Sequence, residues 1–233
     1  MLLPNPKSSK ERSISESSSD LVIYGLELKY PQAVQALWTE VSLVLLPGEL
    51  GAVSGPNSCG KTSLLNAISG VVPHYIKAEL RGSIIHGNTD LIGMPLNEKY
   101  HHLGYLMADV RAQLLFPTGF DEVSFALENL GLPPDEITHR VESAAVFFGI
   151  QELLPRHPHS LSGGEQKLLL MAGLEALQPP LLLLDEPEAA LSERSLELLV
   201  KWLMILQSRG QIALLATHSD ILQTLCAKHL VLG

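Results

Sequence analysis

Residues 55–62 combine glycines, a lysine and a hydroxyl in a pattern that can hold a chain of phosphates. Four residues separate Gly55 from Gly60, and Lys61 and Thr62 follow directly. Glycines let successive backbone amides converge on phosphate oxygens, and a following helix adds its positive end. Lys61 can then neutralise β- and γ-phosphate charge, while the Thr62 hydroxyl can bind Mg²⁺. An ordinary glycine-rich turn is the alternative, but a strand-like segment before the loop and a helical pattern after it favour phosphate binding.

Two carboxylates, Asp185 and Glu186, follow the apolar run 181–184. Such a run predicts a strand that is buried on both faces of a parallel sheet, and ligands bind beyond the carboxyl ends of such strands. We therefore expect Asp185 to hold Mg²⁺. We expect Glu186 to orient and deprotonate an attacking water, which favours hydrolysis over transfer to another substrate. Taken alone, the pair could equally be a charge cluster at a helix N-terminus.

A second candidate anion site lies at residues 161–166. Ser162 and Glu165 have the spacing of a capping box at the start of a helix. A capping box does not explain the two consecutive glycines Gly163 and Gly164, because each costs helix stability unless another group must approach the backbone. A helix N-terminus beside a serine can bind an anion. A chain with two phosphate-binding devices suggests that this one serves a nucleotide on a neighbouring subunit.

The elements that must position these residues alternate between strand and helix. Residues 21–51 are β-like and punctuated by turns, and residues 121–157 are helical in pattern, with a break at Pro133 and Pro134 and Asp135 as a candidate cap. In the last third, apolar residues with helical spacing precede another buried strand at Ile212–Ala216. This alternation predicts an α/β layered core.

Composition excludes several classes of protein. The 233 residues are 46% hydrophobic and 18% charged with a net charge of −9, which excludes a disordered chain and argues against a nucleic-acid partner. The longest apolar runs have strand length, so no membrane span is predicted. Cys59 and Cys226 do not form a disulfide framework, which favours a reducing cytoplasmic setting. Residues 1–20, rich in serine and without a continuous apolar run, predict a disordered lead-in and no secretory signal.

Taken together, these motifs resemble those of the ABC-type ATPases. In the family's order they are the phosphate loop, the signature, the Walker B motif and the switch histidine, at residues 55–62, 161–166, 181–187 and 216–218. Segments 121–133 and 172–177 further resemble the energy-coupling-factor group, whose ATPases drive uptake of vitamins or of cobalt and nickel ions. The resemblance covers residues 21–233 as one ATP-binding domain. It implies an α/β fold with a P-loop NTPase (RecA-like) core, a small antiparallel β subdomain, and an inserted helical subdomain at about residues 108–160.

The resemblance also implies the role of each site residue. Tyr30 matches the aromatic residue that stacks on adenine, unless it is only a strand tyrosine. His218 matches the histidine that contacts the γ-phosphate and the catalytic carboxylate, unless it is structural. The implied catalytic residues are Lys61, Glu186 and His218, and the implied Mg²⁺ ligands are Thr62 and Asp185. The implied ATP-binding residues are Tyr30, Gly55, Asn57, Ser58, Cys59, Gly60, Lys61, Thr62, Ser63, Ser162, Gly163 and Gly164.

Partners follow from the resemblance as well. In the family two ATPase subunits, identical or different, close head-to-tail on ATP and Mg²⁺, and they drive an integral membrane subunit from the cytoplasmic face as peripheral proteins. We expect the excess apolar surface of this chain to lie around residues 103–125 as subunit contacts. Exposure of Leu114, Leu115, Phe116 and Phe120 tests that expectation.

Several positions depart from the family's pattern. Ala108 stands where the family has the Q-loop glutamine, and the nearby Gln113 is not an obvious substitute. Ser192 replaces the D-loop aspartate, and Leu168 replaces an arginine after the signature. Ser58 and Cys59 occupy positions where glycine and serine are usual. These departures leave two alternatives to a transport motor: a degenerate module that binds ATP and supports a catalytic partner, or a soluble ABC-type regulator or assembly factor.

Overall fold

The computed structural model describes residues 19–99 and 101–233. The predicted lead-in therefore lies outside the described residues, apart from Ser19 and Asp20. The strands are β1 (Leu21–Lys29), β2 (Trp38–Leu45), β3 (Leu50–Ser54), β4 (Glu79–His86), β5 (Thr89–Asp90), β6 (Leu103–Leu106), β7 (Leu181–Asp185), β8 (Ile212–Ala216) and β9 (Lys228–Val231). The helices are α1 (Lys61–Ser69), α2 (Val71–His74), α3 (Leu96–Lys99), α4 (Gly119–Asn129), α5 (Pro134–Phe148), α6 (Gly163–Leu177), α7 (Glu193–Ser208) and α8 (Asp220–Leu225).

The strands form two sheets. A four-stranded antiparallel sheet has the order β2-β1-β4-β5, and a five-stranded sheet has the order β6-β7-β8-β3-β9. All four pairings in the second sheet are parallel. Since α4 and α5 lie in the chain between the neighbouring strands β6 and β7, they form a helical insertion beside a P-loop-type core. The predicted α/β fold with an antiparallel β part is confirmed.

Strand β7 is buried on both faces, as its continuous apolar run predicts. Leu181 and Leu183 pack into the core that includes α1, whereas Leu182 and Leu184 pack into the core under α4 to α7. All four side chains are fully buried, and each contributes about 2 kcal/mol of transfer free energy. The strand runs one residue further than the apolar run and carries Asp185 with it. Packing on both faces of β7 therefore fixes the position of its carboxyl end, where Asp185 and Glu186 lie.

One helix of the insertion, α5, begins with a different N-cap from the one that the sequence predicts. Thr118 caps α4 through its side chain, but α5 begins at Pro134 with Pro133 as N-cap, and Asp135 lies in its first turn. Proline suits the first position of a helix because its fixed φ fits and its missing N–H would be unpaired there anyway. Asp135 as the cap was therefore wrong. The boundaries of the helical subdomain at about residues 108–160 stay a prediction.

The expectation of an exposed apolar segment holds for only part of that segment. Leu114 is 3% exposed, and Phe120 packs against the core beneath α4. Leu115 is 75% exposed. Phe116 is half-buried and stacks on Phe125 with ring centroids 4.6 Å apart. Leu114 and Phe120 therefore belong to the core of this chain, whereas Leu115 and the Phe116–Phe125 pair lie at the surface. Within the described residues, no helix is both long and apolar enough to cross a membrane.

Candidate nucleotide-binding site

A cavity of about 530 Å³ opens where β3 runs into α1. Eight of the residues expected to bind ATP or act on it line this cavity together with Leu37, which the sequence did not suggest. The eight are Tyr30, Asn57, Ser58, Gly60, Lys61, Thr62, Ser63 and Glu186. Gly55 and Cys59 belong to the same loop. Residues far apart in the chain therefore meet around one space.

The loop presents a bare helix N-terminus to this cavity. Gly60 is the N-cap of α1, has a φ of 100°, and no side chain caps the helix. A Cβ at Gly60 would lie 2.6 Å from Nε1 of Trp38 and 2.7 Å from Cδ2 of Leu37, so only glycine fits. The amides of the first turn have no partners inside the helix. A phosphate can therefore accept hydrogen bonds from them, which makes the loop fit the phosphates of ATP.

Lys61 lies folded over the loop. Its Nζ donates hydrogen bonds of 3.1 Å to the carbonyl oxygens of Gly55 and Pro56, while the residue as a whole is 7% exposed. An ammonium held only by neutral carbonyls keeps its positive charge available to an anion. Phosphate oxygens can replace these two acceptors after a small movement of the side chain.

Thr62 and Asp185 form the candidate Mg²⁺ site. The Thr62 hydroxyl donates to Oδ2 of Asp185 over 2.8 Å. Burial raises the pKa of the Asp185 carboxyl; the hydrogen bond from Thr62 opposes this, Glu186 adds to it, and Lys61 and Lys167 lower it. Among the described residues, no cluster of three or more histidine, cysteine or acidic side chains could hold a metal alone. A hydroxyl and a carboxylate fit Mg²⁺, which takes few protein ligands and completes its shell with phosphate and water.

The backbone of Glu186 is held from two sides. Its N–H donates to the carbonyl oxygen of Ala216 over 2.8 Å, and its own carbonyl oxygen accepts from Nζ of Lys167 over 2.7 Å. The residue has a φ of 47°, in the left-handed region. Its side chain reaches the wall of the cavity. This places a carboxylate where a water could attack a bound terminal phosphate.

His218 follows β8 and is exposed. Its backbone N–H donates to Oε1 of Glu188 over 3.2 Å, and the Thr217 hydroxyl donates to the same oxygen. His218 is not among the described residues that line the cavity. The structure therefore fixes the backbone of the predicted switch histidine but does not bring its side chain to the phosphate loop.

Tyr30 lies at the outer part of the cavity. Its hydroxyl donates to Oγ of Ser63 over 3.0 Å, which ties the ring to the first turn of α1. Leu37 lines the cavity beside it. A fixed aromatic ring and an apolar side chain form a surface on which a flat base can stack.

The signature residues lie apart from this cavity, at the start of α6. Ser162 and Glu165 form the predicted capping box, and Oγ of Ser162 donates to Oε2 of Glu165 over 2.7 Å. These hydrogen bonds hold the pKa of Glu165 below its usual value. A Cβ at Gly164 would lie 2.8 Å from the carbonyl oxygen of Ala190, whereas one at Gly163 would meet nothing closer than 3.9 Å. Packing inside the chain therefore explains Gly164 but not Gly163, which stays available to a ligand from outside.

Residues 38–189 match the sequence model of one family, described as ABC transporter. The chain belongs to the ABC transporter family. The matched segment begins ahead of the phosphate loop and includes the signature and Asp185. The ABC family is thus shown by sequence over more than half of the chain, independently of the site geometry.

Two relatives show the range of similarity within the ABC family. The cobalt import ATP-binding protein CbiO of Rhodobacter capsulatus is 34% identical over 198 residues, covering 85% of this chain and 69% of that protein. A putative ABC transporter ATP-binding protein of Saccharolobus solfataricus, SSO2030, is 32% identical over 171 residues, covering 73% of this chain and 32% of that protein. The chain spans about a third of the length of several relatives that it matches.

Solved structures agree on the fold. The cbiO1 protein of Clostridium perfringens, described as part of the ABC transporter complex cbiONQ, superposes with a TM-score of 0.70 at 29% identity, covering 90% of this chain and 84% of that one. The ATP-binding cassette MJ0796, a dimer in a post-hydrolysis state with ADP and Pi, superposes with a TM-score of 0.80 at 19% identity, covering 91% and 94%. The second similarity concerns the fold alone.

Two departures from the ABC pattern have structural consequences. Gln113 does not replace the glutamine missing at Ala108, because its amide donates to the carbonyl oxygen of Tyr105 and accepts from the N–H of Met107. Both bonds stay within the segment that follows β6. Ser192 caps α7 by accepting from the N–H of Ser195. A serine thus retains a helix-capping role at this position but carries no negative charge.

Sequence reasoning missed Lys167 and Glu188. The structure buries Lys167 in α6 against the carbonyl of Glu186, and it aims Glu188 at the turn that carries His218. A lysine followed by three leucines inside an otherwise apolar helix was a signal, because lysine is rarely buried without a partner. The third carboxylate in the stretch Asp185-Glu186-Pro187-Glu188 was another.

Proposed function

We propose that this chain is the ATP-binding and ATP-hydrolysing subunit of a membrane importer of the energy-coupling-factor type. The observation that carries the proposal is that Lys61, Thr62 and Glu186 line one cavity and that the Thr62 hydroxyl is hydrogen-bonded to Asp185. Hydrolysis of a phosphate chain requires phosphate-binding groups, a metal site and a base, and these side chains could supply all three. Similarity to the cobalt import protein CbiO and to cbiO1 supports an importer over a soluble regulator.

The residues divide the work of hydrolysis. The amides before and within the first turn of α1 and the Lys61 ammonium bind the phosphates of ATP and hold the terminal phosphate in place. Thr62 and Asp185 hold Mg²⁺, which neutralises phosphate charge when it is bound. Glu186 orients a water and accepts its proton. His218, moved inward from its exposed position, contacts the terminal phosphate beside Glu186.

The second subunit completes the site. Ser162 and Gly163 contact ATP bound on the phosphate loop of a head-to-tail partner, since neither lines this chain's own cavity. The partner is another ABC-type ATPase subunit, identical or different. The cassette MJ0796, which shares the fold of this chain, is described as a dimer, and this supports assembly of two such subunits.

An integral membrane subunit is the second partner, and the chain binds it peripherally at the cytoplasmic face. The exposed Leu115 and the Phe116–Phe125 pair offer apolar surface next to α4 for this contact. The cobalt or nickel ion, or vitamin, that such an importer carries binds other subunits and is cargo, not a ligand of this chain.

Two experiments test the proposal. Steady-state release of phosphate from MgATP is measured with the purified chain alone and with a co-expressed ABC-type partner, and we expect activity that requires Mg²⁺. The tagged chain is also purified from detergent-solubilised membranes, and we expect it to bring an integral membrane protein with it. Hydrolysis by a chain that brings no integral membrane protein out of the membranes would contradict the importer, and absence of hydrolysis in both preparations would contradict the ATPase.

A further inference from the structure

A buried polar cluster joins α6 to the two turns that carry Glu186 and His218. Lys167, on α6, is 2% exposed, and its Nζ donates a 2.7 Å hydrogen bond to the carbonyl oxygen of Glu186. Burial lowers the pKa of Lys167, while the negative charges of Glu188, Glu186 and Asp185 oppose that shift. The ammonium therefore lies among three carboxylates and bonds to a neutral carbonyl.

Glu188 provides the other arm of this cluster. Its Oε1 accepts from the Thr217 hydroxyl and from the N–H of His218. The Thr217 oxygen in turn accepts from the N–H of Ser219 over 3.0 Å. Oε2 of Glu188 is buried without a hydrogen-bond partner among the described atoms. Burying a carboxylate oxygen without a hydrogen bond costs free energy unless a positive charge lies near it. Lys167 supplies such a charge, since its ammonium attracts Glu188.

The backbone of Glu186 has an unfavourable conformation that neighbouring elements must stabilise. A φ of 47° at a residue with a side chain costs about 1–2 kcal/mol, so it persists only where the surroundings hold it. The N–H of Glu186 donates to Ala216 in β8, and its carbonyl oxygen accepts from Nζ of Lys167 in α6 and, over 3.1 Å, from the N–H of Ala189 in its own turn. Both hydrogen-bonding groups of this residue's backbone are thus fixed by different elements.

We propose that Lys167 and Glu188 are positioning residues for hydrolysis: Lys167 holds the backbone of Glu186, and Glu188 holds the backbone of His218. The inference rests on the proposed function, in which Glu186 and His218 act on ATP. The Lys167 side chain fixes where the carboxylate of Glu186 projects, and Glu188 keeps the turn after β8 at a set distance from it. Neither residue is among those that line the cavity, so we expect ATP affinity to change little when either is replaced.

The variants are chosen to separate positioning from folding. Lys167→Met keeps the length and apolar stem but removes the donor, whereas Lys167→Arg restores a cation with donors. Lys201→Met, at an exposed lysine of α7, is the matched control. Glu188→Gln keeps an oxygen acceptor without the charge, and Glu197→Gln, also exposed on α7, is its control.

Two readouts are needed. Amide hydrogen exchange of segments 186–192 and 216–219 in the nucleotide-free chain measures backbone restraint independently of ATPase activity. Phosphate release by the chain with its ABC-type partner gives kcat and KM. For Lys167→Met we expect at least about tenfold faster exchange at 186–192, a kcat lower by about 10–100-fold, and a KM for ATP within about twofold. We expect Glu188→Gln to speed exchange at 216–219 and Lys167→Arg to recover most of the kcat.

Unchanged exchange at 186–192 in Lys167→Met would overturn the inference, and so would a loss confined to KM. If the Met variant does not fold, Lys167→Gln serves as the second variant, and the same exchange pattern decides. If the unmodified chain releases no phosphate, the proposed function fails, while the exchange measurement still decides whether Lys167 restrains Glu186.

Discussion

The Thr62 hydroxyl donates a 2.8 Å hydrogen bond to Oδ2 of Asp185, joining residues that lie 123 positions apart in the chain. Thr62 is the second residue of α1, the helix that follows the phosphate loop, and Asp185 is the last residue of the buried strand β7. The bond is possible because β7 lies beside β8 in the parallel sheet and α1 packs over its end. Two oxygens that can share one Mg²⁺ are thus in contact before any metal binds.

Asp185→Asn is expected to separate stability from metal-dependent binding. The amide keeps an oxygen that accepts from Thr62, and it removes a buried charge whose burial raises the pKa of Asp185. We therefore expect the nucleotide-free variant to melt at the same or a higher temperature than the unmodified chain. At a nucleotide concentration of 100 times Kd, MgATP should stabilise the unmodified chain by about 2.7 kcal/mol. That shift should be lost in the variant, and thermal melts with and without MgATP, or with EDTA, measure both effects.

Glu186→Gln is expected to accumulate an ATP-bound dimer. The amide has nearly the same shape but cannot accept a proton from water, so kcat should fall by about 10²–10⁴-fold while nucleotide binding persists. Size-exclusion chromatography in MgATP should show the dimer. Glu193→Gln, at an exposed acidic residue of α7, should behave like the unmodified chain. Undiminished hydrolysis in Glu186→Gln would remove this residue from the mechanism.

Modification of Cys59 by a maleimide is expected to inactivate the chain, and MgATP should protect it. Cys59 is half-buried within the loop that lines the cavity, whereas Cys226 is 8% exposed and burial raises its pKa to about 11. The Cys226→Ser variant should therefore be labelled as fast as the unmodified chain, and Cys59→Ser should resist labelling. Equal labelling rates with and without nucleotide would contradict a nucleotide site at this loop.

Alanine substitutions at the two signature glycines, Gly163 and Gly164, are expected to have different effects on stability. At Gly163 the new methyl group has room, so the free energy of unfolding should be unchanged or should rise by up to about 1 kcal/mol from helix propensity. At Gly164 the methyl would press on the carbonyl oxygen of Ala190, so stability should fall by about 1–3 kcal/mol. Urea unfolding measures both. Only Gly163→Ala should then lose ATP-dependent dimerisation while keeping full stability.

Lys99→Met is expected to stabilise the chain most at neutral pH. Lys99 is 3% exposed at the end of α3, and burial lowers its pKa to about 8 although Asp90 opposes the shift. The unfolded chain holds this proton up to about pH 10.4, so the cost of the buried charge is full below pH 8 and fades as the pH rises toward 10.4. The difference in unfolding free energy between variant and unmodified chain should therefore shrink between pH 8 and 10. Lys77→Met, at an exposed lysine, should show no such trend.

The sequence predicts well what depends on neighbouring residues and on continuous burial. Strand β8 has the bounds Ile212–Ala216 that the apolar run predicts, and Ser162 and Glu165 form the expected capping box. Both features need only local spacing. The phosphate loop is equally local, which is why its residues meet at one cavity as their pattern indicates.

Other features depend on how distant elements approach each other. Leu114 is buried beside the exposed Leu115, just after a short 3-10 helix at Val110–Ala112. No apolar pattern in the sequence predicts that helix. The bond from Lys167 to Glu186 requires α6 to pack across the end of β7, and the chain has no local sign of that crossing. A single sequence states which side chains are present but not which of them meet in the interior.

If the chain pairs head-to-tail with an ABC-type partner of different sequence, the separation of Ser162 and Gly163 from its own cavity makes the two composite sites unlike each other. In a head-to-tail pair, one composite site takes its loop and Ala108 from this chain, and the other takes only its signature serine and glycines. The absence of a glutamine at Ala108 would then affect the first site alone, whereas Ser162 and Gly163 would serve the partner's loop. The two sites of such a pair would hydrolyse ATP at different rates: one would supply most of the hydrolysis, and the other would mainly hold the two subunits together.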